Sequence, residues 1–247
     1  MKRLFDIIAS ALGLLLASPI LLPVLFLVWW QDKHSPFYVA ARTGKGDQPF
    51  KMVKLRSMII NADKSGVDST GANDRRITPV GQFIRRYKLD ELSQLWNVLI
   101  GDMSLVGPRP NVKRETDLYT PVERRLITVK PGVTDFSSIV FSDEGDILKD
   151  AADPDIAYNQ LIRPGKSALG LYYVDNSSLW LDLQLCVLTA VAIVSRARAL
   201  RALQSVMARM GAPRELMRVA SRVEALVPMP PPGGDRIVTS RDGNPFA

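Results

Sequence analysis

The chain has 247 residues, 47% of them hydrophobic, and its 32 Lys and Arg residues exceed its 25 Asp and Glu residues to give a formal charge of +7. This length accommodates one sizeable domain with a membrane element and argues against two full globular domains. The charge favours anionic partners such as phospholipid head groups, nucleotides or nucleic acid. A single cysteine, Cys186, and a single histidine, His34, exclude an intramolecular disulfide and a zinc cluster. Cys186 lies in an apolar run, which favours an inert thiol over a reactive one.

The N-terminal segment is uncharged from Ile7 to Gln31, which is long enough to cross a bilayer as a helix. It is too long for a typical signal peptide and lacks a small-residue cleavage site. Ser18 and Pro19 in its middle predict a kink, and basic residues at both ends favour placing both flanks on the cytoplasmic side. Together these features favour a re-entrant helix-break-helix. The residues alone leave an ordinary span with a tolerated proline kink open as the alternative.

The next segments predict a small hairpin followed by helices. Residues 35–40 and 49–55 have the pattern of two short antiparallel strands. Residues 61–73 are expected to form a mobile surface loop, or alternatively a lid over a substrate. Thr78 is a good N-cap with Pro79 at the first helical position, and apolar residues recurring at threes and fours predict two helices that meet near residues 88–89.

Two adjacent carboxylates, Asp90 and Glu91, stand at the start of the second of these helices. If Asp90 caps that helix, its carboxylate lies at the positive dipole end, which also attracts phosphate. Capping alone would explain the pair equally well. Farther on, Pro108 and Pro110 restrict the backbone around Arg109, which lowers the entropy lost when an arginine binds an anion; a structural turn with a surface arginine is the other interpretation. A carboxylate near a polyanion commonly coordinates a metal or attacks phosphorus.

Six motifs follow one another along the chain: Lys54–Met58, Asp74–Gly81, Leu89–Leu99, Gly101–Pro110, Lys130–Thr134 and Tyr172–Leu183. In order and spacing this series resembles that of the bacterial monotopic phosphoglycosyl transferases, also called bacterial sugar transferases. The similarity covers roughly residues 2 to 195.

The resemblance implies transfer of a sugar-1-phosphate from a nucleotide sugar, usually a UDP-sugar, to polyprenyl phosphate, as the first membrane step of surface glycan assembly. It implies Mg²⁺ as cofactor and assigns Asp90 as the nucleophile that forms a covalent aspartyl-phosphosugar intermediate. Glu91 would hold the metal together with Asp90, or position the second acceptor. Arg85 and Arg109 match the phosphate-contacting arginines of the family. Three further cations in the motifs are expected to bind substrate: Lys54, Arg56 and Arg75.

The same resemblance favours the re-entrant hairpin, with its break at Ser18 and Pro19. The chain departs from the family pattern after Thr134, where many members continue with glycine and then glutamine. Here the sequence runs Asp135 to Ile139 and then Asp143 to Asp146, so this altered segment is where we expect the sugar to be recognised. Ser93 replaces a frequent proline, a milder change.

The predicted fold is α+β and mostly α, with a membrane hairpin at residues 1–32 and a catalytic domain with interfacial amphipathic helices at residues 33–200. A helical extension at 201–226, expected to break near Gly211, and a disordered tail at 227–247 complete it. The expected location is the bacterial inner membrane, monotopic, with the catalytic domain facing the cytoplasm and contacting inner-membrane lipids. A homo-oligomer is compatible with the sequence. The rival classes are a nucleic-acid binder, disfavoured because no recognised binding motif appears, and a catalytically silent membrane scaffold, disfavoured because Asp90 and Glu91 are both present.

Overall fold

The computed structural model describes residues 1–62 and 74–240, and within them the chain is mostly helical. The four strands are β1 (Phe37–Thr43), β2 (Pro49–Leu55), β3 (Ser104–Val106) and β4 (Gly132–Thr134). The α-helices are α1 (Lys2–Asp32), α2 (Pro79–Arg86), α3 (Leu89–Leu92), α4 (Leu95–Ile100), α5 (Lys113–Thr116), α6 (Phe136–Val140), α7 (Glu144–Leu148), α8 (Pro154–Ala157), α9 (Arg163–Asn176), α10 (Leu179–Val194), α11 (Arg196–Arg209) and α12 (Arg214–Ser221). This content confirms the prediction of a mostly helical chain with a small hairpin.

Helix α1 is the one helix among the described residues that is long and apolar enough to cross a membrane, with a mean hydropathy of 2.5 in its most apolar window. α1 continues through Ser18 and Pro19 as one uninterrupted helix. The Ser18 hydroxyl donates a hydrogen bond to the Leu15 carbonyl at 2.7 Å. Its outward face is strongly apolar, with Leu15 and Leu16 68% and 78% exposed.

Both ends of α1 are attached to the rest of the chain. At the first turn Lys2 pairs with the buried Asp182 at 2.5 Å, and the buried Asp6 accepts hydrogen bonds from the Ser104 hydroxyl and the Leu105 amide. At the last turn the carboxylate of Asp32 pairs with a guanidinium at 2.5 Å. Because contacts occur at both ends and along its length, α1 lies against the domain instead of projecting from it.

The hairpin and the first helices follow the sequence pattern closely. β1 and β2 pair antiparallel from Phe37 with Leu55 to Thr43 with Pro49, as predicted. Thr78 caps α2 by accepting the Gly81 amide, and the left-handed conformation of Lys88 (φ 53°) separates α2 from α3, which confirms the predicted break. The expectation of a mobile loop at 61–73 falls almost entirely on residues outside the described ranges.

One local prediction is wrong. Asp90 is not the N-cap of a helix: the cap position of α3 is Lys88, and Asp90 is the second helical residue of a single turn, Leu89–Leu92. The left-handed backbone at Lys88 starts the turn two residues earlier than a cap at Asp90 would. The Asp90 carboxylate therefore belongs to the first turn of α3 and makes no capping hydrogen bond there.

A parallel pair of short strands, which the sequence did not predict, supports the segment that carries Arg109. β3 and β4 pair at Ser104 with Gly132 and at Val106 with Thr134. The backbones approach so closely that a Cβ on Gly132 would lie 2.1 Å from the Gly107 nitrogen. Only glycine fits at such a contact, which explains why the motif carries glycine at both positions.

The core has two main parts. The larger packs α6, α9, α10 and α11 around β3, with Phe136, Leu185 and Leu203 fully or almost fully buried. The smaller lies beneath α1 and joins its Val24 and Val28 to β2, α2 and α3. Helix α1 is thus part of the hydrophobic core that supports the Asp90 turn.

The C-terminal helices lie where the sequence placed them. α10 is an apolar helix within the predicted catalytic domain, and α11 and α12 are separated at Gly211 (φ 71°), as expected. After Ser221 no helix or strand forms among the described residues up to 240, but Gln160 and Thr120 hydrogen-bond to the backbone of this segment at Val238 and Pro232. The domain boundaries and the disorder of the tail stay predictions.

Candidate active site

A cavity of about 730 Å³ opens between β2, the α2–α4 helices, the segment after Gly107 and the α6–α7 connection. Its lining is rich in charge of both signs. Five of the cations and carboxylates predicted from the sequence meet here: Lys54, Arg85, Asp90, Glu91 and Arg109.

The two adjacent carboxylates have different electrostatic surroundings. Arg109 Nη1 lies 3.0 Å from Glu91 Oε1. Burial by itself would raise the pKa of Glu91, but Arg109, with Lys88 and Lys54, holds that pKa below its ordinary value. Glu91 is therefore a carboxylate that stays ionised beside a fixed arginine.

Asp90 has the opposite shift. Burial raises its pKa, the neighbouring Glu91 charge raises it further, and Lys54, Arg109 and Arg85 only partly offset both effects. No cation among the described residues lies within ion-pairing distance of its carboxylate. The Ser93 hydroxyl lies 2.8 Å from the Asp90 carbonyl, so the backbone is held while the side chain is left to face the cavity. A desolvated, unpaired carboxylate is more basic than an exposed one.

The surrounding cations are held in place by polar contacts. Arg85 Nε donates to the Ser57 hydroxyl at 3.0 Å, and burial lowers the pKa of Arg85. Burial, with repulsion from Arg109, lowers the pKa of Lys54 to about 8. Three cations around two carboxylates leave the cavity suited to a group with several negative charges, such as a diphosphate.

Two of the predicted substrate-binding residues lie elsewhere. Arg56 is 7% exposed and forms a bidentate ion pair with Asp32, which attaches the end of α1 to the segment that follows β2. It does not line the cavity. Arg75 is exposed in the turn before α2 and is also not a lining residue. Both belong to the family-like motifs, but the structure does not bring them together with Asp90.

The cavity also contains residues to which the sequence analysis gave no individual role. Arg42 comes from the hairpin, and Gln94 is 1% exposed with no hydrogen-bond partner for its Nε2. Lys166 of α9 forms an ion pair with Glu144, which belongs to the segment expected to recognise the sugar. A buried amide without a partner is uncommon. Gln94 lies one helical turn after Asp90, a spacing that could have pointed to it; Arg42 and Lys166 come from distant segments and carry no comparable signal.

Residues 1–196 match the model of the family described as bacterial sugar transferase. The chain belongs to this family. The matched region includes α1, the hairpin, every cavity residue and α10, and it ends at Arg196, the first residue of α11.

Several curated bacterial sugar transferases or related proteins are similar to the chain. A UDP-N-acetylgalactosamine-undecaprenyl-phosphate N-acetylgalactosaminephosphotransferase of Aeromonas hydrophila is 33% identical over 78% of this chain and 44% of its own length. A UDP-glucose:undecaprenyl-phosphate glucose-1-phosphate transferase of Klebsiella pneumoniae is 37% identical over 76% of the chain and 39% of its own length. The chain thus spans less than half of these two relatives. An exopolysaccharide production protein of Sinorhizobium fredii is 33% identical and is covered over 84% of its length.

The resemblance to bacterial sugar transferases implies Mg²⁺ as a cofactor. No group of three or more His, Cys, Asp or Glu side chains in residues 1–62 and 74–240 has the arrangement of a protein-only metal site. Mg²⁺ usually binds through one or two carboxylates together with substrate phosphates and water. The neighbouring carboxylates of Asp90 and Glu91 fit that description, since Asp90 is unpaired and both face a cavity suited to phosphate.

Proposed function

We propose that the protein transfers a sugar-1-phosphate from a nucleotide sugar, most simply a UDP-sugar, to polyprenyl phosphate, with release of the nucleoside monophosphate. The observation that carries the proposal is the pair of adjacent carboxylates with opposite pKa shifts inside a cationic cavity. Family membership supports the reaction class, and the names of the Aeromonas hydrophila and Klebsiella pneumoniae relatives each combine a UDP-sugar with undecaprenyl phosphate. Such a reaction would be a first membrane step of surface glycan assembly.

In the proposed first step, a carboxylate oxygen of Asp90 attacks the phosphorus that bears the sugar. One oxygen–phosphorus bond forms, the bond to the bridging oxygen of the diphosphate breaks, and the nucleoside monophosphate leaves with that electron pair. Lys54, Arg85 and Arg109 bind the diphosphate and offset the charge that develops on the leaving phosphate. The raised pKa of Asp90 supports this role, because a more basic carboxylate is a better nucleophile.

In the second step, an oxygen of polyprenyl phosphate attacks the same phosphorus and displaces the Asp90 carboxylate, which gives polyprenyl-diphosphate-sugar. Glu91, kept ionised by Arg109, orients that arginine against the phosphates throughout. Mg²⁺, when bound by Asp90 and Glu91, would supply further neutralisation of the phosphate charge.

The proposed membrane arrangement places α1 in one leaflet, with both ends on the side of the catalytic domain. Helix α1 is about 46 Å long at 1.5 Å per residue, longer than the roughly 30 Å hydrocarbon core. Lys2 at one end and Asp32 at the other both contact the domain, and the face between them is apolar and exposed. A helix that is attached at both ends to one domain is better suited to lie within an interface than to cross it. The helix has no break at Ser18 and Pro19, but Pro19 and Pro23 inside it each remove a backbone donor, which would allow it to bend into the leaflet.

The experiment that tests the reaction is capture of the covalent intermediate. The detergent-solubilised full chain is incubated with Mg²⁺ and a panel of UDP-sugars labelled in the sugar-bearing phosphate, without acceptor, and label on the protein is measured. We expect labelling with at least one donor, loss of the label on addition of polyprenyl phosphate, and no label in Asp90→Asn.

The matched control is Asp150→Asn, which removes the same charge from an exposed position away from the cavity. It should label as the wild type does. Absence of label and of nucleoside monophosphate with every donor would contradict the proposed function and favour a non-catalytic scaffold.

A further inference from the structure

The α6–α7 connection forms one wall of the cavity, and it contains part of the segment in which we expected, from the sequence, the sugar to be recognised. Phe141, Ser142, Asp143, Glu144 and Asp146 all line the cavity there. Phe141 adds an aromatic ring and the others add hydroxyl and carboxylate oxygens, which are acceptors for sugar hydroxyl groups. This wall differs chemically from the cationic side that suits the diphosphate.

Two arginines hold this wall from outside the cavity. Arg196 donates to the Ser142 hydroxyl at 3.0 Å and to the Val140 carbonyl at 2.9 Å, and its Nη2 lies 3.0 Å from Asp143 Oδ1. Arg222 donates to Asp143 Oδ2 at 3.0 Å, and its guanidinium lies 5.1 Å from the centre of the Phe141 ring. The carboxylate of Asp143 is thus held between two guanidinium groups.

Arg222 is the more informative of the two because it lies outside the part of the chain that matches the family. It is the residue after α12, in the left-handed conformation (φ 52°), 26 positions beyond the last matched residue. Its side chain is 10% exposed, and its Nε and Nη1 are buried with no hydrogen-bond partner. Asp143 and Phe141 are therefore the groups that fix this guanidinium.

The position of Asp143 determines the position of the residues that follow it. Asp143 is the N-cap of α7, and its carbonyl accepts the amides of Asp146 and Ile147. A shift of Asp143 would move the first turn of α7, and with it the cavity-lining side chains of Glu144 and Asp146. The Phe141 ring is fixed by close packing against Gly165 of α9, where an added Cβ would lie 2.6 Å from the ring.

We propose that Arg222 is a positioning residue that sets which donor sugar the cavity accepts, by fixing Asp143 and Phe141 in the cavity wall. The inference rests on the proposed function, since it assigns the sugar of the donor to this wall and the diphosphate to the cationic side. Sites that hydrogen-bond a substrate hydroxyl discriminate strongly against donors that lack it or present it differently, because their buried polar groups are then unpaired. Arg222 acts through Asp143 and Phe141 and does not itself line the cavity.

The test measures kcat and KM for nucleoside monophosphate release with a panel of UDP-sugars that differ at single hydroxyl or N-acetyl positions. The full chain is compared with Arg222→Ala, Arg222→Lys and Asp143→Asn. We expect Arg222→Ala to change the ratio of kcat/KM between the best donor and its nearest competitor by about tenfold, chiefly through KM. Arg222→Lys keeps the charge but not the planar stacking on Phe141, so it should restore the ratio in part.

The matched control is Arg218→Ala, which removes an exposed arginine of α12 that pairs with Glu224 and does not contact the wall. It should leave all donor ratios unchanged. If Arg222→Ala lowers kcat/KM by the same factor for every donor, or changes only the unfolding temperature, the positioning role is wrong and the proposed function stands. If Arg222→Ala fails to fold, Arg222→Lys makes the same distinction with a smaller expected change in the ratio. If the wild type releases nucleoside monophosphate from no donor, the proposed function fails and this inference with it.

Discussion

At the scale of single residues, two neighbouring carboxylates have been given different properties by their surroundings. Glu91 is fixed as an anion by Arg109, whereas Asp90 is desolvated, unpaired and more basic than usual. The pattern of charges in the sequence does not contain this difference, because it depends on which cations fold against each side chain. Lys54 shows the same effect in reverse, since burial brings its pKa down to about 8.

These shifts predict a bell-shaped pH dependence of Asp90 labelling measured without acceptor. In the proposed reaction Asp90 attacks as the carboxylate, and because its pKa is raised, labelling should begin to fall at a higher pH than for an ordinary aspartate as the pH is lowered. In the same proposal Lys54 binds phosphate as the ammonium, and because its pKa is lowered to about 8, labelling should fall as the pH rises through that value. Lys54→Arg should remove the alkaline limb, since arginine stays charged.

The control for this profile is Lys149→Arg, an exposed position outside the cavity, which should keep both limbs. An alkaline limb that persists near pH 8 in Lys54→Arg would assign it to another group. Omitting the acceptor keeps the titration of polyprenyl phosphate out of the measurement.

At the scale of elements, the site depends on two short parallel strands. β3 and β4 hold the segment that carries Arg109: the Gly107 amide donates to the Thr134 carbonyl and the Gly132 amide to the Pro108 carbonyl, each at 3.0 Å. The restriction of Arg109 predicted from Pro108 and Pro110 is therefore reinforced by pairing with a strand about 25 residues later in the chain.

Gly132→Ala should disrupt this pairing, because its Cβ would lie 2.1 Å from the Gly107 nitrogen and the backbone there has little room to move. We expect a loss of about 3 kcal/mol in the free energy of unfolding, or failure to fold. Gly211→Asn is the control: a Cβ there meets nothing within 4 Å, and asparagine tolerates its φ of 71°. Equal unfolding midpoints for Gly132→Ala and the wild type would show that the strands separate without cost.

At the scale of the whole molecule, α1 combines support for the candidate site with an exposed apolar surface. Its inner residues pack beneath the turn that carries Asp90, and its outer residues form an apolar face. In the proposed one-leaflet placement, a carboxylate supported in this way would lie close to the depth of the phosphate of a polyprenyl lipid. The exposed Trp180 and Val187 of α10 add apolar surface on a second helix.

This arrangement predicts that both ends of α1 face the cytoplasm. In a Cys186→Ser background, a cysteine placed before Met1, Ser35→Cys and Arg214→Cys should all resist a membrane-impermeant maleimide in intact cells and react after lysis. Labelling of the N-terminal cysteine alone in intact cells would indicate a full span and contradict the one-leaflet placement. A known periplasmic cysteine protein provides the positive control.

By itself the sequence determined the elements whose signals are local: the apolar α1, the hairpin, the Thr78 cap, the break near Lys88 and the division of the C-terminal helices at Gly211. It also placed Lys54, Arg85, Asp90, Glu91 and Arg109 in one predicted site, through a motif series whose family was confirmed. Local backbone preferences and hydrophobic periodicity act over a few residues, so they can be recognised without the fold.

Only the tertiary structure decided the relations between distant segments. Arg56, predicted to bind substrate, instead pairs with Asp32 at the end of α1, and Arg222 reaches Asp143 across 79 positions. The parallel pairing of β3 and β4 and the opposite pKa shifts of Asp90 and Glu91 likewise arise from packing. The burial of a side chain and its distance from other charges depend on how the whole chain folds. A motif specifies the residue type at each position but not the residues that lie next to it in space.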